Sequence, residues 1–430
     1  MIDVLVVGGG PVGLAAAIHC TLAGLSVTVA EPRAAPVDKA CGEGIMPAAV
    51  RRLAALGVTP DGHPLRGIRY LDAAHQADAP FRHGDGLGVR RTVLHAALAA
   101  RAAALGIPVI PARVTALERH AGHVAAAGVE ARYLVAADGL HSTIRRVLER
   151  ETPAGPGRVP RQAVPRYGLR RHYRVAPWTD LVEVHWAPRA EAYVTPVSAD
   201  VVGIGLLFAR PHNAGPGGDG PGGDSRGGDE QGGDGPGGGG PGGDGPRRDT
   251  ARGEGLRGAR PGHDGPSRDE APAHDDATAA TATATAVDGT RGDAGGFAAR
   301  LSDFPALRDR LGDAAPASEV RGAGPMRQHV RRRVYGRVLL VGDASGYVDA
   351  LTGEGIGVGL AQAEVLARCL AADRPADYER AWRRASGPAW RFTAGLLWSR
   401  NQPFLGPRIV PAAQRFPWLF AALVNRAAQA

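Results

Sequence analysis

The residues with the clearest chemical purpose stand near the start of the chain, at Gly8-Gly9-Gly10-Pro11-Val12-Gly13. They follow Ile2 to Val7, an apolar β-branched run of the length of a buried parallel strand, and precede Leu14 to Ala23, which reads as a helix. In such a strand, turn and helix, Gly8 permits the turn, Gly10 lets backbone approach a pyrophosphate, and Gly13 lets helix pack closely on strand. The helix N-terminus then faces the negative charge. Ser26 to Ala30 predicts a second strand ending at Glu31, about 20 residues beyond the glycines, where a carboxylate accepts hydrogen bonds from adenosine ribose hydroxyls and repels a 2′-phosphate. Arg33 joins Glu31 as a candidate contact. This chemistry is dinucleotide binding, and the patch alone leaves NAD and FAD undistinguished.

Two distant motifs separate them by resemblance. Tyr133-Leu-Val-Ala-Ala-Asp138-Gly139-Leu-His-Ser142-Thr-Ile-Arg145 resembles the DG motif of flavoprotein monooxygenases, and Arg337-Val-Leu-Leu-Val-Gly342-Asp343-Ala-Ser-Gly resembles their GD motif. The resemblance implies non-covalent FAD, with Asp138 and Gly139 in its wall and Asp343 on the ribityl chain. It also implies that the loop Leu351-Thr352-Gly353-Glu354-Gly355-Ile356-Gly357 lies against the isoalloxazine ring. The backbone donors of that loop, at a helix start, would face charge that develops on flavin reduction. By the same resemblance Arg91, in Arg90-Arg91-Thr-Val-Leu94, reaches the FAD phosphates, and Val114, on a strand expected over Val109 to Leu117, offers backbone groups to the adenine.

Asp38-Lys39-Ala40-Cys41-Gly42-Glu43-Gly44 together with the Gly353 loop is similar to the geranylgeranyl reductase-like branch of this superfamily. That places Cys41 near flavin and substrate as a catalytic candidate, with Gly42 and Glu43 in the substrate pocket. A small buried hydrophobe is the other reading of such a cysteine, and a reactive role requires a lowered pKa. Lys39 is the only lysine of the chain. The sequence departs from its relatives in carrying Ala350 where many have proline, and in lacking the W-x-W-x-I-P stretch of tryptophan halogenases.

The elements that must position these residues give an α/β fold: a Rossmann-like FAD-binding domain with a parallel sheet in three layers, interrupted by an antiparallel-sheet substrate domain and followed by a helical C-terminus. The boundaries are 1–72, 85–150 and 325–372 for the FAD-binding domain, and 73–84, 151–210 and 297–324 for the substrate domain. Residues 373–430 form the helical segment. Short alternating runs at Tyr167 to Val175, Leu181 to Trp186, Ala192 to Val197 and Val201 to Phe208 predict the antiparallel sheet. Tyr193 and Thr195 share one face of it by period-two alternation and are substrate-pocket candidates. Arg166, His172 and His185 are polar candidates for substrate contact on the same sheet, although a lone histidine in a sheet is more often structural or solvent-facing. From 211 to 296 the chain is Gly, Pro, Asp and Arg followed by an Ala-Thr run, too poor in apolar side chains to offset its ordering entropy. It is expected to be a disordered insertion that can be deleted without loss of activity.

Among the 430 residues the three cysteines give no disulfide framework, and Met1 leads straight into the first strand, so a cytoplasmic protein without a leader is expected. No metal-ligand spacing occurs, and no run reaches the ~20 apolar residues of a membrane span. The net charge of +8 comes without a nucleic-acid motif and fits arginines near cofactor phosphates. The aromatic residues beyond Ala372 read either as packing faces of helices or as a peripheral membrane contact. The function that follows is an NAD(P)H-dependent monooxygenase acting on a hydrophobic aromatic or polyketide-like molecule. Reduction of an isoprenoid double bond is the alternative, and a flavin-binding protein without turnover is the alternative of another class.

Overall fold

Ile2–Val7 forms the middle of a sheet because alternate residues bury against different layers. Val4 and Val6 face the helices Pro11–Leu22, Arg91–Ala104 and Gly355–Ala371, whereas Leu5 and Val7 face the helix Thr143–Glu151 and a ribbon of two short strands. This period-two alternation, apolar on both sides, marks a strand buried within three layers. The computed structural model describes residues 1–151, 164–209, 287–291 and 294–429, without the side chains of 287–291.

The parallel part of this first sheet runs in the order Val338–Leu340, Val129–Ala136, Ile2–Val7, Val27–Ala30, Val109–Ile110, with Val334–Tyr335 antiparallel at one edge. Its strands therefore end together. Gly8 N–H donates to Ala30 O at 2.9 Å, Ala137 N–H to Val7 O at 2.8 Å and Val341 N–H to Ala136 O at 3.0 Å. Three glycine-bearing loops distant in sequence thus leave neighbouring strands at one point, the crevice where open α/β sheets bind ligands.

The second sheet runs Val287–Arg291, Arg321–Gly324, Arg166–Arg174, Val201–Ala209, Ala190–Pro196, Leu181–Trp186, Gly67–Leu71, Gln76–Pro80. All neighbours are antiparallel except Leu181–Trp186 with Gly67–Leu71. Ala192 and Val194 on one face bury against Phe297, Leu301, Phe304 and Leu307 of two short helices, Ala294–Leu301 and Pro305–Leu311. Tyr193 and Thr195 on the other face look into the cavity described below. Both sheets belong to one compact unit, Met1–Gly215 with Thr285–Ala430.

Three expectations are corrected here. Gly67–Leu71, assigned by sequence to the FAD-binding domain, is a strand of the second sheet, because its pairing partners are Leu181–Trp186 and Gln76–Pro80. The strand expected over Val109 to Leu117 stops at Ile110, where Pro111 removes the next ladder donor. The insertion expected to be disordered from 211 to 296 ends earlier than that: Val287–Arg291 pairs with Arg321–Gly324, and a helix begins at Ala294. The rest of that insertion, 211–286 and 292–293, lies outside the described residues.

The C-terminal segment is helical as the sequence implies, in Tyr378–Arg400, Ile409–Arg415 and Pro417–Ala427. Its start is locked to the first sheet's loops. Arg333, buried, sits 3.7 Å over the Trp382 ring, and Trp382 Nε1–H donates to Ser345 Oγ at 2.9 Å. Arg333 is therefore a structural cation, which also pairs with Glu379.

Candidate functional site

The glycine turn is set by sterics. Gly8 has φ +105°, and a Cβ there would stand 2.5 Å from Ala137 O, while a Cβ on Gly13 would stand 1.9 Å from Gly8 O. Neither position accepts a side chain. The helix that follows has Pro11 in its first turn and no side-chain cap, so its N-terminal N–H groups remain open toward the crevice. Arg91 Nε is buried without a partner and lines the same crevice beside Gly10.

Glu31 is buried behind the turn. Its carboxylate accepts from Gly9 N–H at 2.9 Å and from Arg33 through Nε at 2.8 Å and Nη2 at 3.0 Å. Burial alone would raise this carboxyl, but the Arg33 contacts and the Gly9 N–H prevail and hold it below its ordinary range. The bond to Gly9 makes Glu31 a brace for the loop. His95 Nε2 meets Gly9 O at 2.9 Å from the next helix and completes the support.

Asp138 accepts from the N–H groups of Thr143 and Ile144 through Oδ2, capping a helix, and leaves Oδ1 buried without a partner at the cavity wall. Arg145 ties this loop to the third one, donating to Leu140 O at 2.8 Å and Ala344 O at 3.2 Å. Gly342, at φ +63°, abuts Val12, and its N–H donates to Gln362 Oε1 at 2.7 Å. One cavity is lined by Gly10, Pro11, Val12, Arg33, Arg91, Asp138, Gly139, Gly342, Asp343, Gly353, Gly355 and Ile356, and continues past Cys41, Gly42, Glu43, Tyr193 and Thr195. Gly8, Gly13 and Glu31 stand a layer behind it. Val114 does not reach it: with its strand ended at Ile110, the side chain packs into the core beneath the first sheet.

At the far end the cavity becomes apolar, walled by Ile68, Tyr70, Val182, Val184, Leu207 and Met326, with Val424 and Ala428 of the C-terminal segment closing it. Tyr193 O–H donates to Leu351 O at 2.9 Å and Thr195 Oγ1 donates to Gly42 O at 2.8 Å, so the second sheet holds both loops that border this chamber. Lys39 also lines the cavity.

Several ionisable residues here were given no role by sequence reasoning. Glu354, at the start of the helix Gly355–Ala371, lines the cavity with both carboxylate oxygens buried and unbonded. Burial pushes its carboxyl up to about 8, against a lowering contribution from Thr352. Asp349 is pushed up to about 6 by burial, with Arg166 opposing at Nε to Oδ2 3.1 Å. Arg166 also meets Glu191 at 2.6 Å, and Arg400 of the C-terminal segment pairs with the same Glu191. Arg170, a cavity residue, pairs with Asp38. Only Glu354 had a local signal, its place between two glycines at a helix start.

The loop that bears Cys41 is clamped from two sides. Glu43 adopts φ +59°, a conformation unusual for a residue other than glycine. Its Oε1 accepts from Arg91 N–H at 2.8 Å and its Oε2 meets His172 Nε2 at 2.6 Å. His172, like Arg166, is thus structural, and His185 pairs with Glu183.

The residues present fit an FAD. Unfilled donors at Arg91 and at the first helix suit a pyrophosphate, the unpartnered Asp138 oxygen suits hydroxyls, and the open helix start at Gly355 faces a slot that leads to an apolar chamber. The comparisons agree. The family described as FAD binding domain matches residues 1–165. The fold is the FAD-binding, Rossmann-like α/β fold.

The chain is 50% identical over 56 residues to a menaquinone reductase of Mycolicibacterium smegmatis, which is 13% of this chain and 14% of that protein. It is 31% identical over 173 residues to a rifampicin monooxygenase of Streptomyces venezuelae, covering 37% of this chain and 36% of that one. The matches thus span about a seventh and about a third of these relatives. Among solved structures, a flavoprotein/dehydrogenase from Cytophaga hutchinsonii superposes with TM-score 0.66 at 14% identity over 99% of this chain and 93% of its own. The OxyS anhydrotetracycline hydroxylase from Streptomyces rimosus gives 0.62 at 20% identity over 99% and 76%. At such identities the likeness is one of fold.

Proposed function

We propose that this protein is an FAD-dependent monooxygenase that hydroxylates a hydrophobic aromatic or polyketide-like molecule, with NAD(P)H as electron donor. The observation that carries this reading is the continuity of one cavity from the glycine turn, past the helix start at Gly355, into an apolar chamber. Bound FAD would supply the redox chemistry. The protein's part is to bind, orient and exclude water. Arg91 and the helix at Pro11 hold the phosphate end, Gly353, Gly355 and Ile356 present backbone at the ring end, and the second sheet roofs the chamber. Glu354, buried and neutral at pH 7, holds a proton at its Oε atoms on the cavity wall.

A second reading, reduction of an isoprenoid double bond, is favoured by Cys41 on the cavity wall and by the short match to the menaquinone reductase. Labelling separates the two. With 18O2 and unlabelled NADPH, hydroxylation puts one 18O into the product. Reduction instead transfers deuterium from 4-deuterated NADPH to carbon and incorporates no 18O. Formation of no product from any candidate substrate would leave a flavin-binding protein without turnover.

A further inference from the structure

The C-terminal helix Pro417–Ala427 has apolar residues on both of its sides. Phe420, Ala421 and Val424 pack inward against Tyr70 and Val184 of the second sheet. Trp418, Leu419 and Leu423 point outward, with Trp418 exposed over 68% of its surface. An outer row of Trp418, Leu419 and Leu423 leaves a large apolar area in water. Beside it, Phe416 is exposed, and in the elements packed nearby so are Phe404 at 78% and Trp398 at 60%. Patches of this kind mark an interaction surface.

Charge says what meets it. After Glu379 the chain has no further acidic residue, while eight arginines follow. Arg408 is exposed next to the Phe404 turn, Arg415 is exposed with its guanidinium 5.8 Å from the Phe416 ring, and Arg426 is exposed on the outer row of the helix, three residues after Leu423. Aromatic side chains that enter an acyl boundary, ringed by arginines whose stems reach back to phosphate headgroups, make an interfacial membrane contact. The helix has 11 residues, too few to span, and no described helix is long and apolar enough to cross a membrane. It would lie in the plane of the surface.

We infer that the Phe404–Arg426 region is a docking face for an anionic lipid bilayer, through which an apolar substrate enters the chamber without passing through water. Val424, Ala427 and Ala428 line the cavity from the reverse side of this segment, so the chamber and the outer face are separated by one helix. The entry route rests on the proposed apolar substrate. The docking itself does not.

The test uses the full chain with bound flavin, in sedimentation with vesicles of phosphatidylcholine alone and of phosphatidylcholine with phosphatidylglycerol. Binding is expected with the mixed vesicles, weaker on neutral ones and weakened by salt. Arg408→Glu with Arg415→Glu lowers the partition coefficient at least about tenfold. Trp418→Ser with Leu423→Ser lowers it by a similar factor. Because these residues are exposed, flavin content and melting temperature stay as in the wild type. Absence of binding to the mixed vesicles, or binding indifferent to both variant pairs, overturns the inference. So does a wild-type dimer that Trp418→Ser with Leu423→Ser dissociates, since a second copy would then cover the face. Vesicle binding needs no turnover, so a failure of the proposed reaction would show in the labelling experiment and not here.

Discussion

At the residue scale the least conventional group is Glu354. A carboxyl raised by burial reverses the usual carboxylate contribution to stability: the folded state keeps its proton up to about pH 8, while the unfolded state loses it near the ordinary value of 4.5. Between those values the folded state binds more protons, so stability falls as pH rises through that window and the penalty is complete above pH 8. Asp349 acts in the same direction but is finished near pH 6, which leaves the upper part of the window to Glu354. Glu354→Gln, in flavin-free protein, is therefore expected to remove a loss of about 2 kcal/mol between pH 6.5 and 8. Denaturant melts at the two pH values check this, and identical slopes for wild type and variant would refute it. The two glycines that flank Glu354 were legible in the sequence. Its burial was not, because the residues that shut water out come from elements far along the chain.

At the scale of elements, the loop of Asp38 to Gly44 is held by partners no local pattern reveals. Glu43 and His172 are 129 positions apart and meet at 2.6 Å because the second sheet is folded down over the first. The His172 contact and the Arg91 N–H contact together offset the cost of a left-handed backbone at Glu43, of order 1–3 kcal/mol. Glu43→Ala leaves the buried His172 without its carboxylate partner, while Arg170 keeps Asp38, and is expected to cost about 3 kcal/mol, read as a lowered denaturation midpoint. Glu43→Gln, which keeps an acceptor for Arg91, should lose less. Equal losses would show that the acceptor offered to Arg91 N–H contributes nothing and that the loop is held by the carboxylate charge alone. Sequence periodicity served well where pairing is local: Leu181 to Trp186 agrees residue for residue with its strand, and Tyr193 with Thr195 does share a cavity face. It failed at Val109 to Leu117, where Pro111 outweighed the β-branched run, and at Gly67–Leu71, whose parallel partner lies more than a hundred residues later.

At the scale of the whole molecule, three loops on adjacent strands of one sheet, a second sheet above them and a C-terminal segment closing the far end enclose a single continuous cavity. The motifs that announced the nucleotide end are backbone motifs, glycines whose need is steric and local, and for that reason they could be read directly. The apolar end is assembled from one or two side chains each of strands and a helix far apart in the chain, and its closure by Val424 and Ala428 left no signature in the sequence beyond helical spacing. Of the C-terminal aromatics, Trp382 and Phe420 are packed, as the packing reading expects, and Trp398, Phe404 and Trp418 are exposed. The central claim is that these walls converge on one FAD. Calorimetric titration of flavin-free protein with FAD tests it most directly. One FAD per chain is expected, with no competition from NADP+ for that site and a strong loss of affinity in Arg91→Ala with Asp343→Ala at unchanged melting temperature. Failure of the wild type to bind FAD, or undiminished binding by that double variant, would contradict it.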